Sequence, residues 1–128
     1  MIVAGIGCRR GTSAPDIEAA IRAALVQAGI GADALTAIAT MAAKHDEAGI
    51  ETAAANLGVS IVLVAEAELK AAGERGETKS ARVLELAGVP SVAEAAALAA
   101  AGPLARLISP RLVLGSATCA LAASEPAA

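Results

Sequence analysis

Met1-Ile2-Val3-Ala4-Gly5-Ile6-Gly7-Cys8-Arg9-Arg10-Gly11-Thr12-Ser13-Ala14-Pro15-Asp16 is the stretch whose reading decides the fold. Ile2 to Ile6 is a short apolar run of the kind that forms a buried strand. Gly5, Gly7 and Gly11 punctuate the bend that follows, where a bare backbone can approach a ligand closely. Ser13 is placed to cap a helix, with Pro15 in its first turn and Asp16 three residues on. Strand, glycine-rich bend and helix start together build an anion site, because a helix start offers unpaired N–H groups and a partial positive charge. Arg9 and Arg10 add fixed charge and forked donors suited to carboxylate or phosphate. The expectation is a loop that holds an anionic small molecule through Gly5, Gly7, Cys8, Arg9, Arg10, Thr12 and Ser13.

The rest of the chain repeats this alternation. Ile17, Ile21, Ala24, Leu25 and Ala28 recur at helical spacing, and Gly29 and Gly31 stop that helix. Leu35 to Thr40 reads as a second strand. Lys44-His45-Asp46-Glu47 follows it, its acids placed in the first turn of a helix whose inner face is Ile50, Ala53, Ala54 and Leu57. Val59 to Ala65 is a continuous aliphatic run, expected as a strand buried on both faces. A short helix is expected over Glu66 to Ala72. A polar loop from Gly73 to Ser80 reads as a mobile surface segment suited to a lid. Arg82 to Ala87 fits a turn or two of helix. Ser91 with Glu94 forms a capping box for a helix ending at Gly102-Pro103. Leu104 to Ile108, Arg111 to Leu114 and Ala117 to Ala122 are strand-like. Ser124 onward is expected to be a disordered tail, leaving one domain over 1–123.

Strands alternating with helices argue for an α/β fold whose mostly parallel sheet is covered on both faces, with a mixed sheet left open. Ligands of such sheets bind beyond the carboxyl ends of the strands. The bend after the first strand and the Lys44 cluster after the second would share that edge.

Composition narrows the function classes. The chain has 128 residues, is 56% hydrophobic and contains no Phe, Tyr or Trp, so its core must be built from Ile, Val, Leu and Ala. Mean hydropathy is +0.64, yet no apolar run approaches the ~20 residues of a membrane span. Arg9 and Arg10 follow the apolar run instead of preceding it, which is not the build of a secretion signal. A net charge of −3 without basic runs or aromatics excludes nucleic-acid binding. Two cysteines far apart make no disulfide framework, and a cytoplasmic protein is expected.

The motifs admit several chemistries. A dinucleotide fingerprint needs a glycine where Arg10 stands and an acid after the second strand, and neither is present. There is no phosphate-loop lysine pattern. Cys8, close to a helix start and two arginines, is a candidate nucleophile or a small packed hydrophobe. Lys44 and Glu47 are candidates for an acid/base pair or a substrate clamp, or are ordinary surface charges. Ser91 and Glu94 are read first as a cap and are kept as candidate ligand contacts. One histidine and two distant cysteines show no metal-ligand spacing, so no metal is expected.

Taken together, four stretches resemble the CobE/CbiG C-terminal domain family of cobalamin biosynthesis. They are Gly5 to Ser13, then Lys44 with Asp46-Glu47-Ala48-Gly49, then Gly88-Val89-Pro90-Ser91-Val92-Ala93-Glu94-Ala95-Ala96-Ala97-Leu98, and finally Ala117-Thr118-Cys119-Ala120. Order and spacing match over nearly the whole chain. The resemblance implies a three-layer α/β/α domain and a role in corrin-ring construction. In the fused form this domain is the C-terminal part of cobalt-precorrin-5A hydrolase, which opens a ring lactone and releases acetaldehyde. A chain of this length resembles the stand-alone, CobE-like form of the oxygen-dependent pathway.

The implied ligand is a corrinoid or precorrin rather than a resident cofactor. Its carboxylates would meet Arg9, Arg10, the Ser13 helix start and Lys44. Three readings follow: a protein that binds and carries an intermediate; a hydrolase using Lys44 or Glu47; and a module that docks on another enzyme of the pathway. One departure is visible. Where the family often carries a lysine, Pro110 is followed by Arg111, and Leu112-Val113-Leu114 is apolar where polar residues are expected.

Overall fold

The computed structural model describes residues 1–44, 46–73 and 92–124. Strand β1 (Ile2–Cys8) is followed by helix α1 (Ala14–Ala28). Then come β2 (Leu35–Met41), α2 (Ala48–Leu57), β3 (Ser60–Val64) and α3 (Glu66–Gly73). Helix α4 (Val92–Ala101) precedes a hairpin of β4 (Arg106–Leu114) and β5 (Ala117–Ala123). The five strands lie in the order β3-β2-β1-β5-β4. β1–β2 and β2–β3 pair in parallel, whereas β1–β5 and β4–β5 pair antiparallel. The fold is α/β with a mixed sheet, and a hairpin stands where alternation alone suggested more parallel strands.

Alternation along β1 assigns the two faces. Ala4 and Ile6 join Ile17, Ile21, Leu25, Ile38 and Ile50 in a core between the sheet and α1 with α2. Val3 joins Ala39, Val64, Leu69, Leu98 and Ala122 in a second core beneath α3 and α4. Ser13 caps α1 as its sequence suggests, its Oγ accepting from the Asp16 N–H at 3.3 Å. Such a cap contributes about 1 kcal/mol. Gly29 (φ +72°) closes the helix in the left-handed region.

The second core is thin because small residues line both sides of it. Gly5 lies on β1 directly beneath α4. A methyl group there would collide with the Ala93 carbonyl oxygen and stand 2.7 Å from the Ala97 nitrogen. Alanines at 93, 96 and 97 complete the fit, all buried. Without aromatic rings to hold the layers apart, helix and strand meet almost backbone to backbone.

Several expectations change. β3 is an edge strand, and of its residues only Val64 is buried, with Leu63 48% exposed. A continuous aliphatic run cannot by itself distinguish a central strand from an edge. The two strand-like segments around Pro110 are one strand, β4, broken in register between Leu107 and Ser109 and again between Ser109 and Leu112. α2 begins at Ala48, so Asp46 and Glu47 precede its first turn instead of forming it. The polar stretch 74–80, the turns expected over Arg82 to Ala87, His45, Ser91 and the tail 125–128 lie outside the described residues.

The Gly5 contact gives a direct test. Gly5→Ala should destabilise the protein by about 1–3 kcal/mol through overpacking. Gly7→Ala should change stability little, because among the described residues its methyl would meet only the Ala93 nitrogen, at 4.0 Å. Urea unfolding followed by far-ultraviolet circular dichroism measures both, since the chain has no aromatic fluorophore.

Candidate functional site

The β1–β2 ladder stops at the Gly5–Ala39 pair. Beyond it β1 continues along β5 to the Cys8–Ala117 pair, and β2 continues along β3 to Met41–Val64. The two strands therefore part at their carboxyl ends. The Thr40 hydroxyl, buried between them, donates to the Ile6 carbonyl at 2.9 Å and satisfies an acceptor next to the end of the ladder.

A cleft of about 350 Å³ opens in this splay. Gly7, Cys8 and Arg9 line it from the end of β1, and Thr40 and Met41 from the end of β2. Val92 and Ala93 enter from the first turn of α4, and Arg111, Val113, Ser116 and Thr118 from the β4–β5 hairpin. Placement beyond the strand carboxyl ends agrees with the rule for parallel pairs. The walls combine apolar side chains, hydroxyls and two arginines. No carboxylate is among the described residues that line it.

The bend after β1 and the segment after β2 do come together, as their shared sheet edge suggests. They do so mainly to hold each other. The Gly11 N–H donates to both oxygens of Glu47, at 3.0 and 3.4 Å, and Glu47 is 6% exposed. Arg10 lies 3.6 Å from Asp46 in an exposed pair, which contributes little to stability. Gly49, at the start of α2, lies so close beneath the bend that a methyl there would strike the Thr12 carbonyl oxygen. Inside the bend, Thr12 donates its hydroxyl to the Arg9 carbonyl at 2.7 Å and lies 3.0 Å from Ser116 Oγ. The Arg9 N–H donates to the Ser116 carbonyl at 3.1 Å, tying the bend to the hairpin.

The candidates thus separate. Gly7, Cys8 and Arg9 line the cleft. Gly5 sits beneath α4 as a packing residue. Arg10, Thr12, Ser13 and Glu47 build the bend and are not among the residues lining the cleft. The Lys44 side chain and Ser91 lie outside the described residues. Glu94 is fully buried and accepts from the Arg111 N–H at 3.0 Å, a tie to β4 that the capping-box pattern does not reveal. Cys8 packs against the core beneath α1 and α2. Cys119 is buried beside it, and burial pushes its thiol pKa from 9.0 up to about 12.

Arg111, Thr40, Met41, Ser116 and Thr118 were not singled out from sequence as ligand contacts. The usable signal was Gly115 between two strand-like runs. Gly115 has φ +63°, so it forms a turn that brings the hairpin's residues back to the end of β1.

Residues 2–122 match the family model described as "Cobalamin synthesis G C-terminus". The chain belongs to this family. It is 36% identical over 121 residues to protein CobE from Sinorhizobium sp, covering 94% of this chain and 79% of that protein. The crystal structure of CobE, a protein from the cobalamin (vitamin B12) biosynthetic pathway, superposes with a TM-score of 0.88. That comparison gives 37% identity and covers 95% of this chain and 89% of the other. Cobalamin biosynthesis protein chiG from Agrobacterium tumefaciens superposes at 0.75 with 47% identity, covering 98% and 100%. The protein is therefore a member of the cobalamin biosynthesis pathway, with the α/β architecture of its CobE-like relatives. Among the described residues no helix is long and apolar enough to cross a membrane.

Two outcomes test the site's construction. Glu47→Ala removes the acceptor of the N–H of Gly11, an exposed residue, and should cost about 0.5–1.5 kcal/mol. Glu47→Gln, which keeps an acceptor oxygen, should cost less in the same urea titration. Cys119 should resist Ellman's reagent in the folded protein at about pH 8, where almost none of it is thiolate, and react on unfolding. The sign of its pH dependence follows from the raised pKa. Its neutral form contributes to stability fully below pH 9.0, and that contribution is lost as pH rises towards about 12.

Proposed function

We propose that the protein binds a carboxylate-bearing corrinoid intermediate in the splay between β1 and β2, as a carrier or accessory protein of cobalamin biosynthesis. One observation carries the proposal. A chain of net charge −3 presents a cleft lined by Arg9 and Arg111, with no carboxylate among its described lining residues. Guanidinium groups match carboxylates in fork geometry, and corrinoid intermediates carry acetate and propionate arms around an apolar ring.

Size fixes how such a ligand would enter. The cleft is at the low end of the range of about 300–1,000 Å³ that holds a drug-sized molecule. A macrocycle with its arms exceeds that, so a peripheral edge enters. Val113, 60% exposed, and Leu114, 43% exposed, continue the apolar surface along β4. Binding is favoured over lactone opening because, among the described residues, the two buried carboxylates are engaged with backbone. Glu47 accepts from Gly11, and Glu94 accepts from Arg111. Reduced cysteines suit the cytoplasm as the place of action. An enzyme of the same pathway is the expected donor or acceptor of the ligand.

Titration with cobyrinic acid, followed in the visible spectrum, should show micromolar binding that weakens with salt. Cobinamide, with the same ring and amidated arms, should bind much more weakly. Arg9→Ala should lose about 10- to 100-fold, the equivalent of one charge-assisted hydrogen bond. No binding across a panel of carboxylated intermediates would overturn the proposal. Acetaldehyde released from cobalt-precorrin-5A would establish the lactone-opening activity in its place.

A further inference from the structure

Glu94 is the most deeply buried charged residue in the described core, at 0% exposure. It lies in the first turn of α4, under the sheet face that carries Gly5 and Gly7. Isolated carboxylates are expensive to bury, and they persist where hydrogen bonds compensate them. One such bond is to the Arg111 N–H, at 3.0 Å.

The location of that N–H is the informative part. Along β4 the register passes from Ser109–Leu121 to Leu112–Cys119. Pro110 and Arg111 therefore oppose the single residue Ala120, which defines a β-bulge. Pro110 has no N–H to offer the ladder. The Arg111 N–H is directed to α4 and takes Glu94 as its acceptor. Bulges bend a strand and re-aim the side chains they carry, and Arg111 is the residue of this bulge that lines the cleft.

We propose that Glu94 is a positioning residue that holds the Pro110–Arg111 bulge against α4, so that Arg111 faces a carboxylate arm of the ligand. The inference rests on the carboxylated-corrinoid reading above. Glu94 makes no contact with the ligand and acts only through Arg111. A helix residue thereby sets the geometry of a cation on the sheet's edge strand, and α4 contributes to recognition beyond the apolar wall of Val92 and Ala93.

A double-variant cycle with cobyrinic acid tests this. Glu94→Ala and Arg111→Ala should each weaken binding about 10-fold or more. Adding Glu94→Ala to Arg111→Ala should weaken it no further, because coupled residues are not additive. Glu94→Gln, which keeps an acceptor oxygen, should restore affinity to within about threefold of wild type. Stability measured in urea provides the control, since the cost of Glu94→Ala should be the same in both backgrounds while its effect on affinity vanishes in one. Glu94→Asp, too short to reach the Arg111 N–H, replaces Glu94→Ala if the alanine variant does not fold. Multiplying losses in the double variant, or unchanged affinity in Glu94→Ala, would overturn the inference and leave the binding site intact. Absence of binding by the wild-type protein would overturn the binding reading itself.

Discussion

Close approach of α4 to β1 at Gly5 is the constraint on which the rest of the molecule depends. The chain has no aromatic side chain, so its layers cannot be spaced by rings. They are instead drawn together by the absence of a Cβ on the strand and by methyl groups on the helix. Close packing of this kind leaves little room for relaxation, since interiors respond to even one added methylene. It also sets the depth of the cleft. Val92 and Ala93 are the first residues of the same helix, and their height above Gly7 follows from how low α4 sits over Gly5.

Two buried carboxylates then secure the segments that bear the cleft's cations. Glu47, just before α2, holds the Gly11 N–H of the bend that begins with Arg9. Glu94, in α4, holds the N–H of Arg111 itself. Each occupies a place where the backbone departs from regular structure, one after a strand end and the other at a bulge. A carboxylate is a stronger acceptor for an N–H than a neutral group. Glu47 and Glu94 thus shape the backbone, while Arg9 and Arg111 line the cleft. That division explains how an acidic chain presents a site lined by arginines.

Much of this was legible in the residues. The strand, bend and capped helix of the first sixteen positions read correctly because each rests on local chemistry: the Ser13 cap, the helical spacing of Ile17, Ile21 and Leu25, and Gly29 at the helix end. The meeting of the bend with Glu47 was also accessible, as a consequence of placing two successive strands side by side. Long-range facts were not. Nothing local in Val59 to Ala65 marks it as an edge strand, because strand order depends on where the hairpin inserts. Ser91-x-x-Glu94 reads as a cap because the pattern is local, and Ser91 lies outside the described residues, whereas the bond of Glu94 to the Arg111 N–H, seventeen residues on, is created by a bulge. Arg111 could not be recognised as a cleft residue until Gly115 folded the hairpin back to the end of β1.

The splay of β1 and β2 shows why the family motif and the site are not the same thing. Of the bend's residues, Gly7, Cys8 and Arg9 reach the cleft and those from Arg10 to Ser13 hold it in place. A substitution at Thr12 would act through the Arg9 carbonyl and Ser116, and one at Gly49 would act through the Thr12 carbonyl. Neither residue lines the cleft, yet both govern how Arg9 is presented there. The part such positions play is structural and identifies no reacting group. Chemistry in this cleft has to be argued from the residues that line it. The described ones supply guanidinium groups, hydroxyls, a thiol and apolar side chains. That set is chemically suited to carboxylates on an apolar frame, and no carboxylate or imidazole is among the described lining residues.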